Sequence, residues 1–305
     1  METSDALIFD SAFLSKLEQL YLLSKKMFRG QHHAERRSRH TGSCLEFADY
    51  RNYTLGDDLR SIDWNIYGRL DRLFIKLFEE EQDMPVYFLI DSSASMRMEF
   101  RTPHSALRIT KFDTARRIAA SLAYIALANL DRVNIHYFSE NLGDHMGLSR
   151  GKGQFHKVLD FLKRAPEKGG ETRLLPSFRA FAQRVKRRGL VFVVSDLFDA
   201  DGIDEALSLL RYNQFEAAVI QVLDPAEMEP DMLGDLRLID AETEQPFELT
   251  CDPSLLKRYR QELQNFLQST ETFCLKRQIT YALTTTAIPF EDLVLRVLRD
   301  GRLVK

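Results

Sequence analysis

Asp91, Ser93 and Ser95 sit in the stretch FLIDSSASM (88–96), directly after the apolar run VYFLI. They set one carboxylate and two hydroxyls at alternate positions. In a near-extended loop alternate side chains point the same way, so three hard oxygen donors converge. Two further segments supply matching groups. The glycine-hinged loop KGGETRLL (168–175) carries Thr172, and the apolar run LVFVVSD (190–196) ends on Asp196. The set Asp91, Ser93, Ser95, Thr172 and Asp196 offers oxygen and neither nitrogen nor sulfur, which suits Mg²⁺ or Mn²⁺ and suits zinc poorly. If the hydroxyls bind directly and the carboxylates act through water, little negative charge touches the ion. The ion stays electrophilic, and an open position accepts a carboxylate from outside. Plainer roles compete: Ser93 and Ser95 as turn residues, and Thr172 as the N-cap of the next helix. Asp199 and Asp201 read as surface-loop and helix-start acids.

These groups need a scaffold, and the chain from Met84 onward has its grammar. The strand-like runs 86–90, 132–138, 190–196, 216–224 and 279–286 alternate with helical patterns at 111–130, 153–165, 177–188, 203–213, 253–278 and 289–300. Strands apolar throughout, separated by helices, predict a mainly parallel sheet covered on both faces, in a doubly wound α/β fold. Ligands of such sheets bind outside the carboxyl ends of the strands, where the winding direction reverses, and Asp91 and Asp196 both fall at carboxyl ends. The stretch LRLIDAETEQPFELT (236–250) alternates like a β-hairpin and breaks the rhythm.

The expected organisation is therefore two parts. Residues 1–83 hold an N-terminal helix (12–27), a basic, histidine-rich loop (29–40) and a small β-rich elaboration (44–83). Residues 84–305 form the α/β domain with a hairpin insertion near 226–250. The hairpin and the β-rich segment each expose apolar residues and are expected to pack together. Trp64 is expected as a core anchor of the β-rich segment.

Composition narrows the class. The 305 residues carry 42 basic and 45 acidic side chains, a net charge of -3, which argues for neither a nucleic-acid nor a membrane partner. His32, His33 and His40 with Arg36, Arg37 and Arg39 read as a solvated loop, since few aromatics interleave. The three cysteines form no CxxC pair, which argues for a reducing compartment. METSDALIFDSAFL lacks a basic start before an apolar core, and the apolar stretch 118–130 is too short to cross a bilayer. A cytoplasmic protein with no transmembrane segment is expected.

Enzyme signatures fail on inspection. GLSRG (147–151) fits the nucleophile-elbow spacing, but no buried strand precedes it and His156 is the last histidine. No GxxxxGK[ST] loop exists, and no general base accompanies the oxygen set. A binding role leads. The alternative is a Mg²⁺-dependent phosphohydrolase using Asp91 or Asp196.

DSSAS, a threonine in a GGxT loop and a later strand-ending aspartate together resemble the metal-ion-dependent adhesion site of von Willebrand factor A domains. That resemblance implies a divalent cation held by Asp91, Ser93, Ser95, Thr172 and Asp196, with an acidic ligand from a partner protein. The segments EFADYRNYTLGDDLRSIDW (46–64), RLFIKLFEEEQDMPVYFLIDSSASM (72–96), VLDPAE (222–227) and KRYRQEL (257–263) resemble the bacterial "domain of unknown function fifty-eight" family. Its members are commonly encoded beside MoxR-type AAA+ ATPases. The resemblance implies an adapter working with such an ATPase in protein assembly or stress response. Many members carry transmembrane helices ahead of this region, a feature without counterpart here.

Overall fold

A computed structural model describes residues 8–28, 45–54, 57–80, 85–98, 109–164, 166, 169–243 and 245–300. The basic loop 29–40 lies outside these. The chain divides into two compact units, one holding residues 31–83 and the other the N-terminal helix together with residues 84–304.

The elements follow in chain order. Helix α1 (Ser11–Phe28) starts where the Asp10 carboxylate accepts from the Phe13 N–H at 2.7 Å. The smaller unit contains β1 (Leu45–Asn52), the short helix α2 (Trp64–Leu70) and β2 (Phe74–Glu80), the strands pairing antiparallel. Asp63 caps α2 by accepting from the N–H groups of Asn65 and Ile66. Trp64 is 62% exposed and meets only the edge of Tyr67 among ring contacts described. Its expected anchoring role is thus incorrect: at the first position of a one-sided, seven-residue helix its ring faces outward.

The larger unit runs β3 (Pro85–Asp91), α3 (Lys111–Ala128), β4 (Arg132–Phe138), β5 (Leu142–Arg150), α4 (Phe155–Lys163), α5 (Leu174–Arg184) and β6 (Leu190–Ser195). It continues with α6 (Asp204–Tyr212), β7 (Glu216–Leu223), the single turn α7 (Pro225–Met228), β8 (Gly234–Ile239), β9 (Pro246–Cys251), α8 (Pro253–Lys276), β10 (Thr280–Thr285) and α9 (Phe290–Asp300). The six-stranded sheet has the order β10-β7-β6-β3-β4-β5, parallel except for β5. Strand β5 escaped the sequence reading. It is an edge strand whose side chains are mostly exposed, so it lacks the continuous apolar signal of its parallel neighbours.

Both faces of the sheet are covered, and β3 shows how. Val86, Phe88 and Ile90 face a core built with α1, α3, α4 and α9, while Tyr87 and Leu89 face a second core with α5, α6 and Phe273 of α8. Each such buried side chain contributes about 1.5–3 kcal/mol relative to exposure. Helix α1, grouped by sequence with the β-rich segment, instead buries Phe13, Leu17 and Leu20 in the first core. Its apolar residues recur at helical spacing, and the sheet unit supplies the surface that covers them. A Thr110–Asp113 capping box starts α3, which decides where Lys111 points. Strands β8 and β9 form a separate antiparallel hairpin. Among the described residues no helix is long and apolar enough to cross a membrane.

Candidate functional site

The winding fixes where the oxygen donors meet. From β3 the chain moves outward to β4 and β5, then returns to place β6 on the other side of β3. The carboxyl ends of β3 and β6 therefore flank the switch point, the place where such sheets bind ligands. Ile90 pairs with Val194, so the next residues, Asp91 and Ser195, emerge side by side. The Ser195 hydroxyl donates to Asp91 Oδ2 at 2.6 Å, and the Ser93 N–H donates to Asp91 Oδ1 at 2.9 Å.

The loop after β3 is held from two sides. Ser92 binds the Phe138 carbonyl through both its N–H and its hydroxyl. Gly169 N–H donates to the Ser92 carbonyl, and Ala94 N–H donates to the Gly170 carbonyl, both at 3.2 Å. These bonds lash the loop of Thr172 to the loop of Ser93. A Cβ at Gly169 would lie 2.6 Å from the Ser139 Cβ and 3.0 Å from the Ser92 carbonyl oxygen, so glycine permits the approach.

Asp91, Ser93, Ser95, Thr172 and Asp196 are all buried, none more than 9% exposed. The hydroxyls of Ser93 and Ser95 are 3.0 Å apart. Thr172 does not cap α5, whose N-cap is Arg173. Its hydroxyl and N–H donate instead to the two carboxylate oxygens of Glu242, at 2.9 and 3.2 Å. Asp199 is no free surface acid: its Oδ2 accepts from the Leu174 N–H at 2.6 Å and so caps α5 from the loop after β6.

Two groups missed by sequence reasoning belong to the site. Lys111, 1% exposed, donates from Nζ to Asp196 at 2.8 Å and to Glu227 at 2.5 Å. Glu227 is set by its own capping box with Asp224. Burial opposes the Lys111 charge, but Asp196 and Glu227 outweigh it and hold the ammonium above its ordinary pKa. Lys111 opens the helical pattern at 111–130, and no spacing rule links it to Asp196. The second group is Glu242, hidden in what read as a mere hairpin.

The electrostatics are those of crowded, dry carboxylates. Burial first, and the Asp196 charge second, push Asp91 up to about 7 against the hydrogen bonds from Ser195 and Ser93. Burial also raises Glu242, with Asp196 adding, while bonds from Thr172 and Ser95 pull it back. Such shifts mark negative charge that a cation would relieve.

One pair of the donors has the spacing that a hard divalent ion needs. Neighbouring ligands of an octahedral Mg²⁺ with bonds of 2.0–2.1 Å lie about 3 Å apart, the separation of the Ser93 and Ser95 hydroxyls. Among the described residues no group of three or more His, Cys, Asp or Glu side chains is arranged to hold a metal, so an ion here would depend on hydroxyls. All four carboxylate oxygens of Asp91 and Asp196 accept protein donors, which favours action through water over direct contact.

Fold and site together define an α/β protein with an oxygen-lined site at the switch point of a mostly parallel six-stranded sheet. The chain belongs to the family described as "Protein of unknown function DUF58", whose model matches residues 49–267. Uncharacterized proteins of Mycobacterium bovis and Mycobacterium tuberculosis are 24% identical to it over 250 residues, covering 81% of this chain and 77% of each relative. Among solved structures, the conserved hypothetical protein BatB of Bacteroides thetaiotaomicron aligns with a TM-score of 0.42 and 10% identity, covering 72% of this chain and 100% of that one. An aerotolerance-related membrane protein of Bacteroides fragilis aligns with a TM-score of 0.44 and 12% identity, covering 71% and 99%.

Proposed function

We propose that this protein is a non-enzymatic adapter whose site takes Mg²⁺ or Mn²⁺ and, through it, an acidic side chain of a partner protein. The observation that supports this reading best is that the loop of Asp91, Ser93 and Ser95 after β3 is tied by backbone bonds to the loop of Thr172, with Asp196 close enough to Asp91 at the end of β6 for its charge to act on it. On this reading the domain is von Willebrand factor A-like and its site is of the metal-ion-dependent adhesion type. Ser93, Ser95 and Thr172 would hold the ion, and Asp91 and Asp196 would orient its waters. The ion would supply an electrophilic position for a carboxylate. Lys111 would hold the Asp196 carboxylate in place. The partner, by family resemblance, is a MoxR-type AAA+ ATPase.

The phosphohydrolase alternative has weaker support. Asp91 and Asp196 are fully buried and each spends both oxygens on protein donors, a poor state for a nucleophile. Ser149 of the GLSRG motif lies within edge strand β5, not on a strand-to-helix elbow.

Calorimetry with the cognate MoxR-type ATPase tests the proposal. Binding should require Mg²⁺, fail in EDTA and weaken at least tenfold in Thr172→Ala. Equal Kd in all three conditions would reject a metal-bridged contact.

A further inference from the structure

Glu242 is the carboxylate that this site already holds. It stands at the tip of the β8–β9 hairpin, and the tip is built to present it. Asp240 Oδ1 accepts from the N–H groups of both Glu242 and Thr243 at 2.8 Å, closing a local turn that fixes the direction of the Glu242 side chain. The carboxylate then takes the hydroxyl and the N–H of Thr172 across 70 residues of sequence. The Ser95 hydroxyl also favours its charged form.

The hairpin is suited to leave. Among the described residues its strands pair only with each other, outside the six-stranded sheet. Of its strand residues only Cys251 is buried, and Ile239 and Phe247 are each 63% exposed. Elements with so few buried contacts open at low cost. Gly234, the first residue of β8, has φ +102, a backbone state that glycine adopts freely and that suits a hinge. Thr172 and Ser95, which meet the Glu242 carboxylate, are buried, so a partner's side chain that takes its place must move the tip.

We propose that Glu242 is an intramolecular occupant of the acidic-ligand position, so that a partner's carboxylate must displace the hairpin tip from Thr172. This rests on the acidic-ligand reading above. It defines the partner's chemistry as well: an aspartate or glutamate carried on an exposed turn or extended segment, resembling the tip itself.

Two measurements on the full chain test it. In the first, hydrogen–deuterium exchange is followed without added metal or peptide. Glu242→Gln should raise exchange across 234–251 while the strands of the large sheet stay protected; unchanged exchange in the hairpin overturns the proposal. In the second, the synthetic peptide LIDAETEQP (residues 238–246) is titrated in trans with Mg²⁺. It should bind Glu242→Ala about tenfold or more tighter than wild type, since charge-assisted hydrogen bonds are the strong ones. The same peptide with glutamine for its first glutamate should lose that binding. Equal, Mg²⁺-dependent binding to both proteins overturns the intramolecular role and leaves the acidic-ligand reading standing. Binding to neither protein overturns both.

Discussion

Lys111 and Asp196, 85 residues apart in sequence, form a buried ion pair 2.8 Å long at the carboxyl end of β6. The pair joins the first turn of α3 to the switch point, and Glu227 completes it from the single turn α7 that follows β7. A charge removed from such a cluster leaves its partners desolvated and unpaired.

Lys111→Met is therefore expected to be costly. It keeps the packing of the aliphatic stem but strands Asp196 and Glu227. Stability should fall by about 3 kcal/mol or more, the usual result of breaking a buried pair, read from urea midpoints at pH 7. A loss below about 1 kcal/mol would show that the two carboxylates find other compensation.

Asp91→Asn tests the ion. A ligand bound only to the native state adds about 2.7 kcal/mol at a hundredfold excess over Kd. Wild type should gain Tm in millimolar Mg²⁺ or Mn²⁺ and lose the gain in EDTA, and Asp91→Asn should gain little. The absence of any shift in wild type would count against the metal site.

Gly169→Val should act on the site at a distance. Its side chain meets the Ser139 side chain and the Ser92 carbonyl, forcing apart the two loops that carry Thr172 and Ser93. Overpacking of this kind costs about 1–3 kcal/mol. Mg²⁺-dependent stabilisation should weaken with it. A variant as stable as wild type, with its metal response intact, would show that the loops tolerate separation.

His136 predicts a pH dependence remote from the site. It is buried on β4, stacked on His145 and edge-on to Phe181, and neither ring nitrogen has a hydrogen-bond partner among the described residues. Burial first, then the charges of His145 and Arg184, depress it to about 3. Between that value and its unfolded value of about 6.5 the unfolded chain binds the proton that the folded chain refuses. Stability from this group is thus full above about pH 6.5 and falls as pH drops below it, by about 1.4 kcal/mol per unit at most. Between pH 7 and pH 5, urea midpoints should fall more steeply for wild type than for His136→Phe. Parallel curves for the two proteins would contradict the depressed value.

The sequence alone determined the parallel sheet, because VYFLI and LVFVV are apolar on both alternating faces and recur between helical patterns, and only a strand covered by helices on each side reads that way. The hairpin expected over 236–250 was also legible from its alternation, and it forms over 234–251. The candidate oxygen donors were legible because Asp91 ends a strand with Ser93 and Ser95 at alternate positions after it, Asp196 follows another strand, and Thr172 sits in a glycine-hinged loop. Trp64, the edge strand β5 and the placement of α1 were not legible, because exposure at an edge or on a short helix depends on what lies opposite. Nor did any local signal join Lys111 to Asp196 or Glu242 to Thr172. Those contacts exist because the chain crosses from β4 and β5 back over β3, bringing α3, β6 and the hairpin tip to one end of the sheet. Spacing along a chain reports which face a residue shares; the return path of the fold decides which charges must share a dry space.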